Sequence, residues 1–308
     1  NMPKEDALSA IVCGSRSPLP HSSRDEACIL VIAGKNIYVI DTGAGSANNV
    51  NQWAIPANRI KAVLLTHLHS DHIADLPNFH MSTWINNRPS QLDVYGPEGL
   101  ESVVQGFEDA YSLDYAFRNA HHGDAIAPLA VAGMKAHTID LNNPVIIESD
   151  DLSIQAFAVE HHPVKPALGY RFDYKGRSIV ISGDTSASQN LTDHSRNADV
   201  LFHEAQANHI LKPLRKFMLE NGRTNQAKIL DDITTYHTTP VEAAAIAKEA
   251  NVKHLVFYHL TPAPRNDIMA NIFTRGVSDV FDKWTLSDDG TMVVLPVDSE
   301  EIKISNLN

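Results

Sequence analysis

The stretch Thr66-His67-Leu68-His69-Ser70-Asp71-His72 decides how this chain is read. It comes directly after Ile60-Lys61-Ala62-Val63-Leu64-Leu65, an apolar run of strand length that predicts a strand buried on both faces. A tight loop at the end of such a strand aims its side chains to two sides. His67 and His69 then face one way, Asp71 and His72 another, which suits imidazole and carboxylate ligation of two borderline metal ions. Without that chemistry the same segment is a polar loop with coincidental histidines.

A metal pair needs further ligands, and they stand at the ends of other predicted strands. His161-His162 closes the run Ile154-Gln155-Ala156-Phe157-Ala158-Val159. Asp184 follows Ser178-Ile179-Val180-Ile181-Ser182-Gly183, where Gly183 permits the sharp turn that points a carboxylate inward. His259 follows Leu255-Val256-Phe257-Tyr258. Functional groups of α/β proteins gather at such places, on the segments that leave the strands.

Away from these positions, β-branched runs at 10–13, 29–32 and 37–40, bounded by turn residues, predict a meander. Residues 97–118 predict a helix, carrying Val103, Val104, Phe107, Ala110 and Tyr111 at helical spacing. Strands are predicted at 152–159, 168–174 and 177–182, and helices near 205–219 and 240–250. The last has a clear start, with Thr239 as N-cap, Pro240 in the first turn and Glu242 three residues after the cap. No linker-like tract and no repeat divides the chain. Two blocks of strands, each followed by helices, predict two sheets face to face with helices outside, in one domain over residues 1–308.

Composition narrows the function classes. The 308 residues carry 25 Lys+Arg against 37 Asp+Glu, a formal charge of -12, which argues against a nucleic-acid or anionic-membrane binder. A hydrophobic content of 43% excludes disorder and fibrous classes. Two cysteines exclude a disulfide scaffold and a Cys-based zinc finger; Cys13 and Cys28 either form one bridge or stay as buried thiols. No apolar run approaches the roughly 18 residues of a membrane span. The start at Asn1-Met2 is read either as the mark of a processed signal peptide or as a trimmed beginning; the first reading favours a periplasmic or secreted location over a cytoplasmic one.

The ordered set Asp41-Thr42-Gly43, His67-x-His69-x-Asp71-His72, His161, Gly183-Asp184-Thr185 and His259 resembles the metallo-β-lactamase superfamily. That resemblance implies an α/β fold, an αββα four-layer sandwich over nearly the whole chain. It also implies a dinuclear site holding two divalent metal ions, Zn2+ first, with Mn2+ or Fe2+ as alternatives. Carried over by motif, His67, His69 and His161 hold one ion, Asp71, His72 and His259 the other, and Asp184 bridges them. Asp41 touches no metal and braces the His/Asp loop by hydrogen bonds.

Finer motifs point to branches. His161-His162-Pro163-Val164-Lys165-Pro166-Ala167 resembles the signature of the arylsulfatase-like branch, with His161 as ligand and His162 as its neighbour. Leu201-Phe202-His203-Glu204-Ala205 and His237-Thr238-Thr239 resemble motifs of RNase Z, the tRNA 3′-processing endonuclease. There the glutamate orients a histidine that protonates the leaving group, so the resemblance makes Glu204 the orienter and His237 the acid. Without chemistry, His237 is a neighbour of a helix cap. Against RNase Z itself, only residues 170–182 separate Gly169 from Gly183. That is room for a hairpin turning at Lys175-Gly176 and not for the tRNA-binding arm the family carries there.

The expectation is therefore a metal-dependent hydrolase that cleaves an ester-like bond in a small molecule: an arylsulfate, phosphoester, lactone or similar. Metal-bound hydroxide attacks, Asp71 orients it while ligating, and His237 protonates the leaving group. The alternatives are an RNase Z-like phosphodiesterase or tRNA 3′-processing endonuclease, and a β-lactamase. The expected partner is a small-molecule ester, with no membrane and no nucleic acid. Residues 211–225 mix Leu, Phe and Met with Lys and Arg, and serve either a homodimer interface or the chain's own core. A non-enzymatic scaffold is disfavoured because all seven ligand positions are filled.

Substrate shape is expected from residues 77–125. Trp84, Phe107, Tyr111, Tyr115, Phe117 and the pair His121-His122 are candidates for a pocket rim, against the plainer reading that the aromatics pack helices. Of the 16 histidines, His21, His80, His137, His194, His209 and His254 get only structural or surface readings.

Overall fold

The computed structural model describes residues 5–149 and 151–308, and contacts divide the chain into two compact units. One holds the residues up to Gly14 with Asp25–Pro144 and Asp289–Asn308; the other holds Ser15–Arg24 and Val145–Asp288.

The first unit opens with the predicted meander: β1 (Ala7–Gly14), β2 (Cys28–Ala33) and β3 (Asn36–Ile40), all antiparallel. β4 (Ile60–Leu64), β5 (Leu92–Gly96) and β6 (Met134–Thr138) then add in parallel. Parallel neighbours need crossover connections. Helices supply them: α1 (Ser46–Gln52) before β4, α2 (Ser70–Ile73) and α3 (Leu76–Ile85) before β5, and α4 (Leu100–His122) before β6. The apolar run of β4 is buried except at Lys61. Ile11, Leu30, Val39, Val63 and Val94 of the strands pack with Val50, Phe79 and Leu100 of the helices in one hydrophobic cluster. Cys13 and Cys28 lie in that cluster and form a disulfide.

The second unit begins with an antiparallel ribbon, β7 (Val145–Glu148), β8 (Leu152–His161), β9 (Val164–Tyr174) and β10 (Arg177–Ile181). Next come three parallel strands, β11 (Val200–Gln206), β12 (His254–Thr261) and β13 (Trp284–Leu286). The crossovers are α5 (Gln189–His194), then α6 (Asn208–Glu220), α7 (Thr224–Asp232) and α8 (Pro240–Glu249), then α9 (Asp267–Phe273) and α10 (Val277–Val280). Ala243, Ala244 and Ala247 of α8 pack on Leu201, Leu255 and Phe257. The chain ends as β14 (Thr291–Pro296) and β15 (Lys303–Asn306), which complete the first unit's sheet in the order β15-β14-β1-β2-β3-β4-β5-β6.

Three sequence expectations shift. The helix expected over 97–118 starts at Leu100 and runs to His122. The helix expected from 205 starts at Asn208, because residues 205–206 are still ladder partners of β12. β12 does not stop before His259 but carries it inside the strand. α8 follows its predicted cap, with the reciprocal Thr239–Glu242 capping box formed. In α6, Leu211 is buried while Phe217 and Leu219 are exposed. Among the described residues no helix is long and apolar enough to cross a membrane.

Candidate metal centre and acid–base pair

In both units most of the chemistry-bearing residues sit at the carboxyl ends of strands or on the segments that leave them, where α/β sheets leave room for ligands. In the first unit Asp41 directly follows β3 with a left-handed backbone, φ 58°. Its Oδ1 accepts the Thr66 N–H at 2.8 Å, and its Oδ2 accepts the Thr66 hydroxyl and the His72 Nδ1–H, each at 2.8 Å. One buried carboxylate thus clamps both ends of the 66–72 loop. With Nδ1 committed to Asp41, His72 presents Nε2, which lies 3.4 Å from Asp71 Oδ2. His67 Nε2 and His69 Nδ1 stand 2.8 Å apart. His67, Asp71 and His72 are buried and His69 is exposed.

In the second unit His161 ends β8 and Asp184 follows β10. Gly183, at φ 62°, makes the turn that a side chain would resist. Asp184 Oδ2 is 3.9 Å from His161 Nε2, and its Oδ1 is 3.3 Å from His259 Nδ1. His161 Nδ1–H donates to the Tyr236 carbonyl at 3.2 Å, leaving Nε2 to face Asp184. Burial pushes the His161 imidazole pKa down, and the Asp184 charge opposes that shift. His161 is buried while His162 is exposed.

Glu204 is fully buried. Its Oε1 accepts three donors, His237 Nδ1–H at 2.8 Å and the N–H groups of Thr185 at 3.1 Å and Thr238 at 3.3 Å. The Thr238 hydroxyl donates back to the Thr185 carbonyl at 2.6 Å, tying the loop of His237 to the Gly183-Asp184-Thr185 turn. One ligating atom each from His161, Asp184 and His237 lies within 4.8 Å of the others, as do those of Glu204, His237 and His259.

These donor sets fit a divalent cation. They are imidazole nitrogens and carboxylate oxygens, mostly buried, with His72 and His161 held in one tautomer by an oxygen acceptor on the other ring nitrogen. Sequence reasoning missed the Tyr236 carbonyl and the Thr66 hydroxyl. A carbonyl is carried by every residue and leaves no mark in a sequence. Thr66 stood inside the decisive stretch, and the clue was its place between the end of β4 and His67.

The proposed pocket rim divides. Trp84 packs with Tyr111 and Tyr115, and Phe107 packs against the first unit's core, so these are structural. Phe117 is 58% exposed on α4, and His121 and His122 are exposed at the end of that helix.

Two sheets with flanking helices are the architecture of known metallo-β-lactamase folds. The Beta-lactamase superfamily domain matches residues 36–260. Proteins named Ribonuclease Z are relatives of this chain at about one-third identity. That of Mycobacterium marinum is 33% identical over 259 residues, 83% of this chain and 87% of the relative. That of Mycolicibacterium paratuberculosis is 34% identical over the same shares. Among solved structures, the metallo-beta-lactamase fold protein YhfI of Bacillus subtilis superposes with TM-score 0.68 at 19% identity, covering 94% of this chain and all of that one. Human tRNase Z, short form, superposes with TM-score 0.67 at 20% identity, covering 94% and 99%.

Those relatives correct two expectations. The arylsulfatase-like branch, and with it the esterase reading, is not supported: the relatives are named Ribonuclease Z. The stretch that carried the branch forms the β8–β9 turn, where it sets the backbone around His161 and so reports fold rather than substrate. The expectation of a small-molecule substrate and no nucleic acid is overturned by the same relatives. It rested on a charge of -12, which is a sum over the whole chain, whereas binding depends on local charge. Lys212, Arg215, Lys216, Arg223 and Lys228 gather within α6, α7 and their turn, with Arg215, Lys216 and Lys228 paired to Asp231, Glu220 and Asp232. The other support, the short link from β9 to β10, is a tight hairpin at Lys175-Gly176 as expected, yet the relatives are matched over 87% of their own length all the same. The chain belongs to the metallo-β-lactamase superfamily and is a metal-dependent hydrolase of that fold.

Proposed function

We propose that this hydrolase is an RNase Z-like phosphodiesterase that cuts RNA endonucleolytically, with 3′-extended tRNA as the substrate class. The observation that carries the reading is the likeness to Ribonuclease Z relatives over 83% of the chain. The Glu204–His237 pair supplies the chemistry that a phosphodiester needs. In this reading His67, His69, Asp71 and His72 of the first unit and His161, Asp184 and His259 of the second serve as metal ligands, for zinc. Bound zinc would supply an activated water and positive charge against the phosphate.

The chain's own residues do the rest. Glu204 Oε1 takes the Nδ1–H of His237, which leaves Nε2 as the proton-handling nitrogen. Protonated there, His237 gives its proton to the departing ribose oxygen, and the buried Glu204 carboxylate favours the charged ring before transfer. Thr185 and Thr238 stop the carboxylate from turning away. Asp71 orients the attacking water.

The experiment incubates zinc-loaded protein with a 3′-extended tRNA transcript, and in parallel with chromogenic aryl sulfate and bis-aryl phosphodiester. The expected result is a discrete internal cut in the transcript, abolished by chelator. His237→Ala should slow that cut by about 100-fold or more with zinc content unchanged. Turnover of the aryl sulfate with an intact transcript would sink the reading.

A further inference from the structure

Next to the acid–base pair, β11 places a polar residue where its packing asks for an apolar one. Side chains alternate along a strand. Leu201 and Ala205 both lie in the second unit's hydrophobic cluster with Ala243, Ala247 and Phe257. His203, on the same face between them, is fully buried. A buried imidazole is costly unless a hydrogen bond compensates its lost water. Its Nδ1 lies 2.7 Å from the carbonyl oxygen of Glu204, and its Nε2 has no hydrogen-bond partner among the described residues. A carbonyl only accepts, so Nδ1 carries the proton.

That carbonyl stands where the strand register breaks. β11 pairs with β12 as Glu204 with Tyr258 and then Ala205 with Leu260, so β12 carries one extra residue there, His259. His259 has φ 45°, a left-handed conformation that a non-glycine residue keeps only where its surroundings hold it. The next N–H, of Leu260, donates outside the ladder to the Ser15 carbonyl at 2.9 Å. A bulge of this kind re-aims a side chain. Here it re-aims His259 toward Asp184.

We propose that His203 is a positioning residue: its Nδ1–H clamps the Glu204 carbonyl at the bulge and so aims both the His259 imidazole and the Glu204 carboxylate that holds His237. The inference rests on the reading of His259 as a metal ligand given above, and it is tested without RNA. Nitrogen-15 NMR of the metal-free wild-type protein should show His203 as the Nδ1–H tautomer; an Nε2–H tautomer overturns the proposal. Zinc affinity is then measured by competition with a chromogenic chelator for His203→Leu, which has no donor, and His203→Asn, whose side-chain N–H can stand near the Nδ1 position. His203→Leu should lose about tenfold or more in affinity, while His203→Asn stays within about threefold of wild type. Wild-type affinity in His203→Leu, or an equal loss in both variants, overturns it. If His203→Leu does not fold, the tautomer and the affinity of His203→Asn decide. An intact tRNA transcript in the wild-type assay would remove the ribonuclease reading and leave this one standing.

Discussion

Single residues in this protein work through which of their atoms is committed. Asp41 commits both carboxylate oxygens to the 66–72 loop, and Glu204 commits one oxygen to three donors. His80 shows the same logic away from the site. It is fully buried, with Nε2 2.8 Å from the Tyr115 hydroxyl and Nδ1 3.3 Å from Arg88 Nη1. Burial first, and the Arg88 charge second, push its pKa down to about 3. In the unfolded chain a histidine takes up its proton near pH 6.5, so between there and about 3 the unfolded state binds the extra proton. Stability from His80 is therefore complete above pH 6.5 and is lost as pH falls, by up to about 1.4 kcal/mol per unit. Urea unfolding at pH 7 and pH 5 should show the wild type losing about 2 kcal/mol more than His80→Gln. A gap between the two proteins that does not change with pH would refute this.

At the scale of elements, strand pairs set the distances on which these residues depend. β8 and β9 form a long antiparallel pair in which Phe157 lies opposite Gly169. A β-carbon added at Gly169 would meet the Phe157 ring at 2.5 Å and the Ile181 carbonyl at 3.0 Å. Phe157 belongs to the second unit's core and cannot withdraw without opening it. Gly169→Ala should destabilise the fold by about 1–3 kcal/mol through overpacking, read as a lower denaturant midpoint with an unchanged slope. An unaltered midpoint would mean that the ring has space to give. The helices were more legible than this contact. Thr239, Pro240 and Glu242 mark the start of α8 within four residues, because a cap is local chemistry. The end of β11 was not legible: residues 205–206 have no strand signature of their own and are held by pairing with Leu260 and Thr261, more than fifty positions away.

For the whole molecule, metal and stability should be linked. Ligand sets rich in buried imidazole and carboxylate belong to the folded chain, so a bound ion stabilises it by mass action. Zinc at a thousand times its dissociation constant contributes about 4 kcal/mol, and its removal should lower the thermal midpoint accordingly. Calorimetry before and after chelation, with metal content measured, checks this; an unchanged midpoint after demonstrated metal loss would contradict it. The charge of -12 is the whole-molecule quantity that misled, because a sum over the chain does not report how charge is distributed locally. By itself the sequence determined the superfamily and the candidate ligands, because each motif is a few adjacent residues at a strand end with spacing set by local geometry. Only the tertiary structure decided how those ligands are aimed. The Tyr236 carbonyl that orients His161, the Thr185 and Thr238 N–H groups on Glu204 and the register break that turns His259 inward all draw on backbone groups of distant segments, and backbone atoms are the same in every residue.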